Sequence, residues 1–443
     1  MKTRAVIMAA GKGTRMKSRT PKVLHELCGR TMFEHVLEAV RGAGADEIVA
    51  MVSPDLQPHI EAMGVTCIVQ EPQKGTGHAM QLAMAGLADE KGQILVASGD
   101  MPLVPASLLR DVVSARDVVN APIALVSAHV PLPTNFGRIV RNRGKVVRIV
   151  EDADASEIER SIDEVNTGIY CFEEQALRRH LRVLVPNNAQ GELYLTDCVA
   201  AIAAEGGRVE AVLCDDRRLV MGVNNRIELS AARAVMQQHI LDELMLSGVT
   251  IVDPSTTYAD VQVIVGNDTV VLPNTHLRGK TRIGSGVTVG PGSFLENATV
   301  ADDVHVWYSI VRDSSIGSGT TVGPFAHLRM GASVGKNCKI GNYVELKKTT
   351  LGDGAKAQHL SYLGDAEIGD EANIGAGTIT CNWDGKNKNK TTIGKRAFIG
   401  SNSSLVAPVT VGDGALTGAG AVVIRDVPPG ERVVGNPAKP IRK

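Results

Sequence analysis

Short apolar runs alternate with longer amphipathic stretches through the first two hundred residues. Residues 5–10, 47–52, 67–70, 94–98 and 123–128 read as buried strands, and residues 32–43 and 76–87 as helices between them. This alternation predicts a parallel α/β sheet with helices on both faces. Ligands bind such sheets beyond the carboxyl ends of the strands, where Gly11-Lys-Gly-Thr-Arg15 and Gly99-Asp100 fall. Apolar residues then take helical spacing from Ile227 through Leu229, Ala232, Val235, Met236, Ile240 and Leu241 to Leu244, and Gly248 offers a C-cap. Residues 225–248 are therefore expected to form a helical linker with a packed apolar stripe. Asn224, at its start, would let this arm close a site in the first domain.

Beyond the linker the period changes to six. Val265, Val271, Leu277, Ile283, Val289 and Leu295 lead. The phase resumes at Val304, Ile310, Ile316, Val322, Leu328, Val334, Ile340 and Leu346, and again at Ile393, Ile399, Leu405 and Val411. A small residue often stands two positions earlier, and glycine often follows. Six fits neither helix nor strand periodicity. It fits a left-handed parallel β-helix of hexapeptide repeats, three short strands per triangular coil, with the apolar residue inward. At about 18 residues per coil, residues 265–427 make roughly nine coils, a prism about 40–45 Å long at the ~4.8 Å strand spacing. The period slips between Lys347 and Ile374. Residues 375–392, polar and basic, are expected to project as a loop, where solenoids often carry a binding face. The implied domains are 1–224, 225–248 and 249–443. Flat faces with few guarding charges predict self-association as a homotrimer.

Composition narrows the function. The 443 residues carry 47 Lys+Arg against 48 Asp+Glu, a net charge of -1, so no global basic field draws the chain to nucleic acid. Aromatic residues are 3%, too few for a base-stacking surface. Of the 46 glycines, 27 fall after residue 262, which marks where the architecture changes. None of the seven cysteines forms a CxxC pair, so neither a disulfide framework nor a zinc site is expected. No apolar run reaches the roughly 18 residues that span a bilayer, and the first run is too short for a secretion signal. A cytoplasmic protein with no membrane and no nucleic-acid partner is expected.

Gly11-Lys12-Gly13-Thr14-Arg15 is not a dinucleotide fingerprint, since Met16 replaces the third glycine, and it is not a Walker A loop. What remains is a loop whose amides can approach an anion, with Lys12, Arg15 and Lys22 at hand. That chemistry suits a nucleoside triphosphate, although a plain strand-to-helix turn with surface cations shares the pattern. Asp100, at a strand end after Gly99, is placed to bind Mg²⁺ beside phosphates or simply to cap a turn. His359 stands two residues beyond an inward position and so points outward. A neutral imidazole there could take a proton from an amine attacking a thioester, although a lone surface histidine usually does nothing.

Met8-Ala-Ala-Gly-Lys-Gly-Thr-Arg-Met16, Pro21-Lys22, Gln70, Gly75-Thr-Gly-His-Ala79, Gly99-Asp100, Gly137-Arg-Ile, Val150-Glu151, Asn166-Thr-Gly and Gly222-Val-Asn-Asn225 occur in the order used by sugar-1-phosphate nucleotidyltransferases. The chain resembles the family of bifunctional N-acetylglucosamine-1-phosphate uridyltransferases / glucosamine-1-phosphate N-acetyltransferases. The resemblance implies a Rossmann-like nucleotidyltransferase domain. In it Met8, Ala9, Ala10 and Gly11 would hold the uridine nucleotide, with Gln70, Gly75 and Thr76 reading uracil. Gly137, Glu151 and Asn166 would hold N-acetylglucosamine, and Arg15 and Lys22 would act on the triphosphate as catalytic cations. Asp100 and Asn224 would bind Mg²⁺. Ser98 and Gly99 complete this site, Ser98 standing where the family carries an aromatic residue.

The second half resembles the same family independently, through Arg329, Lys347, His359-Leu-Ser-Tyr362, Asn373-Ile-Gly-Ala376, Thr380-Cys-Asn382 and Ser401. On that likeness His359 is the general base, and Arg329, Lys347, Tyr362 and Asn373 hold glucosamine-1-phosphate. Asn382 and Trp383 extend this substrate site towards acetyl-CoA, which Ala376, Ser401 and Ala419 contact between neighbouring subunits. Trp383 replaces the family's tyrosine, and its late CoA-contacting arginine has no counterpart here. The implied function has two steps. Acetyl-CoA acetylates glucosamine-1-phosphate, then UTP and N-acetylglucosamine-1-phosphate give UDP-N-acetylglucosamine, a precursor of peptidoglycan and lipopolysaccharide, and pyrophosphate. Two rivals remain: a monofunctional sugar-1-phosphate nucleotidyltransferase whose β-helix is structural or regulatory, and a translation-regulator-like subunit with degenerate sites.

Overall fold

The computed structural model describes residues 1–441; Arg442 and Lys443, at the end of the expected last domain, lie outside the described residues. The chain divides into two compact units, Met1–Met236 and the part from Gln237 onward, and the division falls within the helix Arg226–Leu246.

In the first unit, a sheet of nine strands among the described residues is built on the order Val209–Leu213, Ile123–His129, Glu164–Glu173, Gly92–Ser98, Lys2–Met8, Glu47–Val52, Thr66–Val69. The strand Lys2–Met8 lies inside the sheet, next to Gly92–Ser98, and is buried on both sides. Ala5 and Ile7 enter one core with Phe33 and Val36, and Val6 enters the other with Met80 and Ala83. The expected all-parallel sheet is corrected: Glu164–Glu173 runs antiparallel between its two neighbours, and the hairpin Arg138–Asn142/Lys145–Val150 branches from it. The chain moves outward from Lys2–Met8 to Thr66–Val69, then returns to Gly92–Ser98 on the other side. That reversal makes a crevice at the carboxyl ends of the two central strands, where Met8 pairs with Ser98. Leu229 and Ala232 of the helix Arg226–Leu246 pack with Met16, Leu27, Met32 and Val223. Ile227, expected in that stripe, is instead 82% exposed, because it faces away from this cluster. Gly248 ends the helix with φ 97°.

The second unit is a parallel β-helix with one short strand per coil in each of three sheets, which hold 12, 10 and 9 strands among the described residues. It begins at Thr250–Ile251, two strands before the first hexad position, Val265, which closes the same coil. Val265, Val271, Leu277, Ile283, Val289 and Leu295 are buried. The small residues fill corners, and their hydroxyls satisfy carbonyls that turn inward: Thr269 Oγ1 donates to Gly284 O at 2.8 Å, and Thr281 Oγ1 to Arg278 O at 2.7 Å. The expected phase fails in one coil. Val306 and Val311 point inward, while Ile310 is 42% exposed and Val304 fills a corner. Val300 pairs with Ile316, so this coil has shed two residues and the six-residue count slips. The projecting loop is also shorter than expected. Residues 375–381 stay in the coil, ending in the strand Ile379–Cys381, and only the stretch between Cys381 and Thr391 leaves it.

Candidate active sites

The first site sits in the crevice. A cavity of about 270 Å³ is lined by Met8, Ala9, Ala10, Gly11, Lys22, Gln70, Gly75, Thr76, Ser98 and Asp100. The strand ends place these residues: Ala9 N donates to Met51 O at 2.8 Å, and Gly99 N to Met8 O at 2.9 Å. Gln70 Nε2 donates to Gly75 O at 2.9 Å, which ties the loop before the helix Thr76–Gly86 to the next strand over. Lys22 forms an ion pair with Asp100 and donates to Asn224 Oδ1 at 3.2 Å. Arg15 Nη2 donates to the same oxygen at 2.9 Å. Val223 N donates to Asp100 O at 2.9 Å, so the segment leading into the long helix is fastened to the strand end. Arg15, Lys22, Asp100 and Asn224, far apart in sequence, thus form one cluster.

A second cavity of about 380 Å³ shares Thr76 and Glu192 with the first and is lined further by Asn135, Glu151, Gln190 and Tyr194. Gly137 stands at its wall. A side chain there would meet Glu151 Oε2 at 3.2 Å, and Asn166 N donates to Gly137 O at 2.8 Å. Asn166 Nδ2 donates to the buried Tyr170 hydroxyl at 2.7 Å, which fixes its amide. Burial pushes the Glu151 carboxyl above the usual range, against a Thr196 hydroxyl that donates to it at 3.2 Å. Sequence reasoning missed Gln73, Glu192, Tyr194 and Thr196. Tyr194 carries a buried hydroxyl with no hydrogen-bond partner, and burial pushes its phenol up to about 12. Gln73, Glu192 and Tyr194 come from loops and Thr196 from the start of the helix Thr196–Ala204, none with a local motif, so only tertiary folding brings them in.

The third cluster lies on the β-helix. Arg329, Lys347 and Gly364 stand opposite one another on successive coils. Lys347, nearly buried, pairs with Asp365 at 2.7 Å, and Asn382 Nδ2 donates to the same carboxylate oxygen at 2.5 Å. Both contacts hold Asp365 below its usual range despite its burial. The Tyr362 hydroxyl lies over Gly364, so a methyl group there would overlap it and approach Asn382 Nδ2 at 2.8 Å. Arg329 is held by Glu345 at 2.7 Å. Asn373 is not joined to this cluster by any hydrogen bond or ion pair among the described residues; it lies on another face, opposite Lys356 and Phe398.

His359 is exposed, as its phase predicts. The inward residues Ile340, Ala357, Ile374, Ile399 and Thr417 are in register on successive coils. Asn342, His359, Ala376, Ser401 and Ala419 each follow one of them by two positions. They therefore form a column along one corner, advancing about 4.8 Å per coil. Trp383 is exposed on the projecting loop and bridges to Lys388.

Residues 5–164 match the MobA-like NTP transferase domain family, and residues 262–297, 313–348 and 390–425 match the bacterial transferase hexapeptide (six repeats) family. The fold and its crevice are those of a nucleotidyltransferase joined to a left-handed hexapeptide β-helix. A bifunctional protein GlmU of Trichlorobacter lovleyi is 47% identical over 431 residues, 96% of this chain and 94% of that protein. Those of Mycolicibacterium gilvum and Staphylococcus haemolyticus are 46% and 45% identical, over 97% of this chain and 88% and 96% of their own lengths. The chain belongs to the bifunctional GlmU family, and it is an enzyme with uridyltransferase and acetyltransferase activities. Among the described residues no helix is long and apolar enough to cross a membrane.

Proposed function

We propose that the two units catalyse consecutive steps to UDP-N-acetylglucosamine, a cell-wall precursor, in the cytoplasm. The observation that carries this reading is that each unit holds its own chemistry: a cation cluster around Asp100 in the first, and a column that includes His359 in the second.

In the first unit, a phosphate oxygen of N-acetylglucosamine-1-phosphate attacks the α-phosphorus of UTP. A new P–O bond forms, the α–β bridging P–O bond breaks, and pyrophosphate leaves. Lys22 and Arg15 set fixed positive charge against the oxygens that gain negative charge. Asp100 and Asn224 offer hard oxygen donors already gathered round a cation, the Lys22 ammonium, which is the donor chemistry that suits Mg²⁺. Mg²⁺ held there, with water and phosphate oxygens, would supply further charge neutralisation. Met8 to Gly11, Gln70, Gly75 and Thr76 hold the nucleotide, with Ser98 and Gly99 at the floor. Gly137, Glu151 and Asn166 hold the sugar.

In the second unit, the amine of glucosamine-1-phosphate attacks the thioester of acetyl-CoA, and His359 accepts its proton. Arg329 and Lys347 grip the phosphate, Tyr362, Asn382 and Trp383 surround the sugar and acetyl group, and Asn373, on the face that carries the His359 strand, meets the sugar from that side. Ala376, Ser401 and Ala419 line the groove for acetyl-CoA. A homotrimer accounts for the exposed rings of Tyr308, Phe325 and Tyr343, of which Phe325 stacks on Tyr343 at 5.4 Å and lies tilted to Tyr308 at 5.8 Å, on corners of left-handed backbone where Asn, Asp or Gly is usual. Purified protein given glucosamine-1-phosphate, acetyl-CoA, UTP and Mg²⁺ should release CoA thiol and pyrophosphate together. Release of only one product from the matching substrates ends the two-step reading.

A further inference from the structure

We propose that Asn342 is a positioning residue for acetyl transfer, holding His359 in the tautomer whose Nε2 is free to accept a proton. The inference rests on His359 being the base, as proposed above. Asn342 and His359 are register partners on adjacent coils, and Asn342 Oδ1 lies 2.8 Å from His359 Nδ1. An amide oxygen can only accept, so at this contact Nδ1 carries the hydrogen and Nε2 keeps its lone pair.

Both residues are held by their backbones. Leu360 N donates to Asn342 O at 3.0 Å, Gly377 N donates to His359 O at 3.3 Å, and Ser361 Oγ donates to His359 O at 2.9 Å. Gly341 permits the approach, since a side chain there would overlap the Gln358 carbonyl. Glu345, the carboxylate nearest to Asn342 in sequence, does not take this role because it is bound to Arg329.

In the step itself, the sugar amine nitrogen forms a bond to the acetyl carbonyl carbon and gives its proton to Nε2. The C–S bond breaks, and the same proton passes to the departing sulfur, which leaves as CoA thiol. While His359 is protonated, its Nδ1–H remains donated to Asn342 Oδ1, and that hydrogen bond strengthens with the charge.

The test uses the full-length protein with Asn342→Leu and Asn342→Asp, and uridylyl transfer reports intact protein. Asn342→Leu should lower the acetyl-transfer kcat about 10–100-fold with little change in KM, the signature of a lost transition-state interaction. Asn342→Asp keeps an acceptor and should recover most of the rate. Imidazole ¹⁵N resonances of His359, identified by their loss in His359→Ala, should show the Nδ1–H tautomer in the parent and a mixture in Asn342→Leu. An unchanged kcat in Asn342→Leu, an Asp variant no better than Leu, or a parent His359 protonated on Nε2 overturns the proposal. If His359→Ala itself retains acetyl transfer, the base assignment falls, and this inference with it. If His359→Ala loses the activity and Asn342→Leu does not, only the role of Asn342 falls.

Discussion

Ser98 Oγ donates to Asp100 Oδ1 at 2.6 Å, which leaves Oδ2 to the Lys22 ammonium. One carboxylate thus serves a hydroxyl and a cation on separate oxygens. An aromatic residue at position 98 would lack this short donor, so the serine gives this chain its own means of orienting Asp100.

Asp100→Ala removes the carboxylate that pairs with Lys22 in the cation cluster. Uridylyl transfer should fall by at least about 100-fold, the scale expected when one preorganised electrostatic group is lost. Acetyl transfer should be unchanged. Pyrophosphate and CoA-thiol release, measured on one preparation, check both halves. Loss of both by a folded variant would contradict two separate sites.

His359→Ala should have the opposite effect. Removing a general base costs about 10²–10⁴-fold, so CoA-thiol release should drop by that factor while pyrophosphate release persists.

Gly364→Ala adds a methyl group where the Tyr362 hydroxyl lies and 2.8 Å from Asn382 Nδ2. Both side chains must move. We expect the KM for glucosamine-1-phosphate to rise about tenfold, the equivalent of 1.4 kcal/mol of binding, with the melting temperature nearly unchanged. A crystal structure of the variant with Tyr362 unmoved would count against this account.

Glu151 predicts a pH effect on stability. Burial raises its carboxyl above the unfolded value near 4.5, so the folded chain keeps this proton over a range where the unfolded chain has lost it. Stability therefore falls as pH rises from the unfolded pKa through the folded one. Glu151→Gln removes that loss. Its melting temperature should exceed the parent's at about pH 8, and the gain should vanish near pH 4. Equal differences at both pH values would show that burial of the charge is not the cause. The same variant should bind N-acetylglucosamine-1-phosphate more weakly.

The repeat was the most legible part of the chain, because a six-residue period has no competitor among helices and strands. It misled only where a coil is short, putting Ile310 inside in place of Val311. The hairpin within the first unit was missed, although Asn142-Arg-Gly-Lys145 carries a turn signal. Arg143 and Gly144 both take positive φ, 48° and 78°, as a two-residue hairpin turn requires. The antiparallel strand Glu164–Glu173 was illegible because it is buried on both faces, as a parallel strand would be. Loop motifs pointed to Lys22 and Asp100, and the hexad phase beside the broken coil pointed to His359. Tyr194 and Asn342 reach their sites through neighbours distant in sequence and left no local signature.

The corner column turns the β-helix into a graduated scale. From His359 to Ala419 the column advances in whole turns, each adding about 4.8 Å. Excising one complete repeat between them would shorten the reach by one graduation and leave the chemistry at either end alone. On the proposed reading of this column as the acetyl-CoA groove, the length of thioester carrier would follow the number of turns and could be re-cut by adding or removing one.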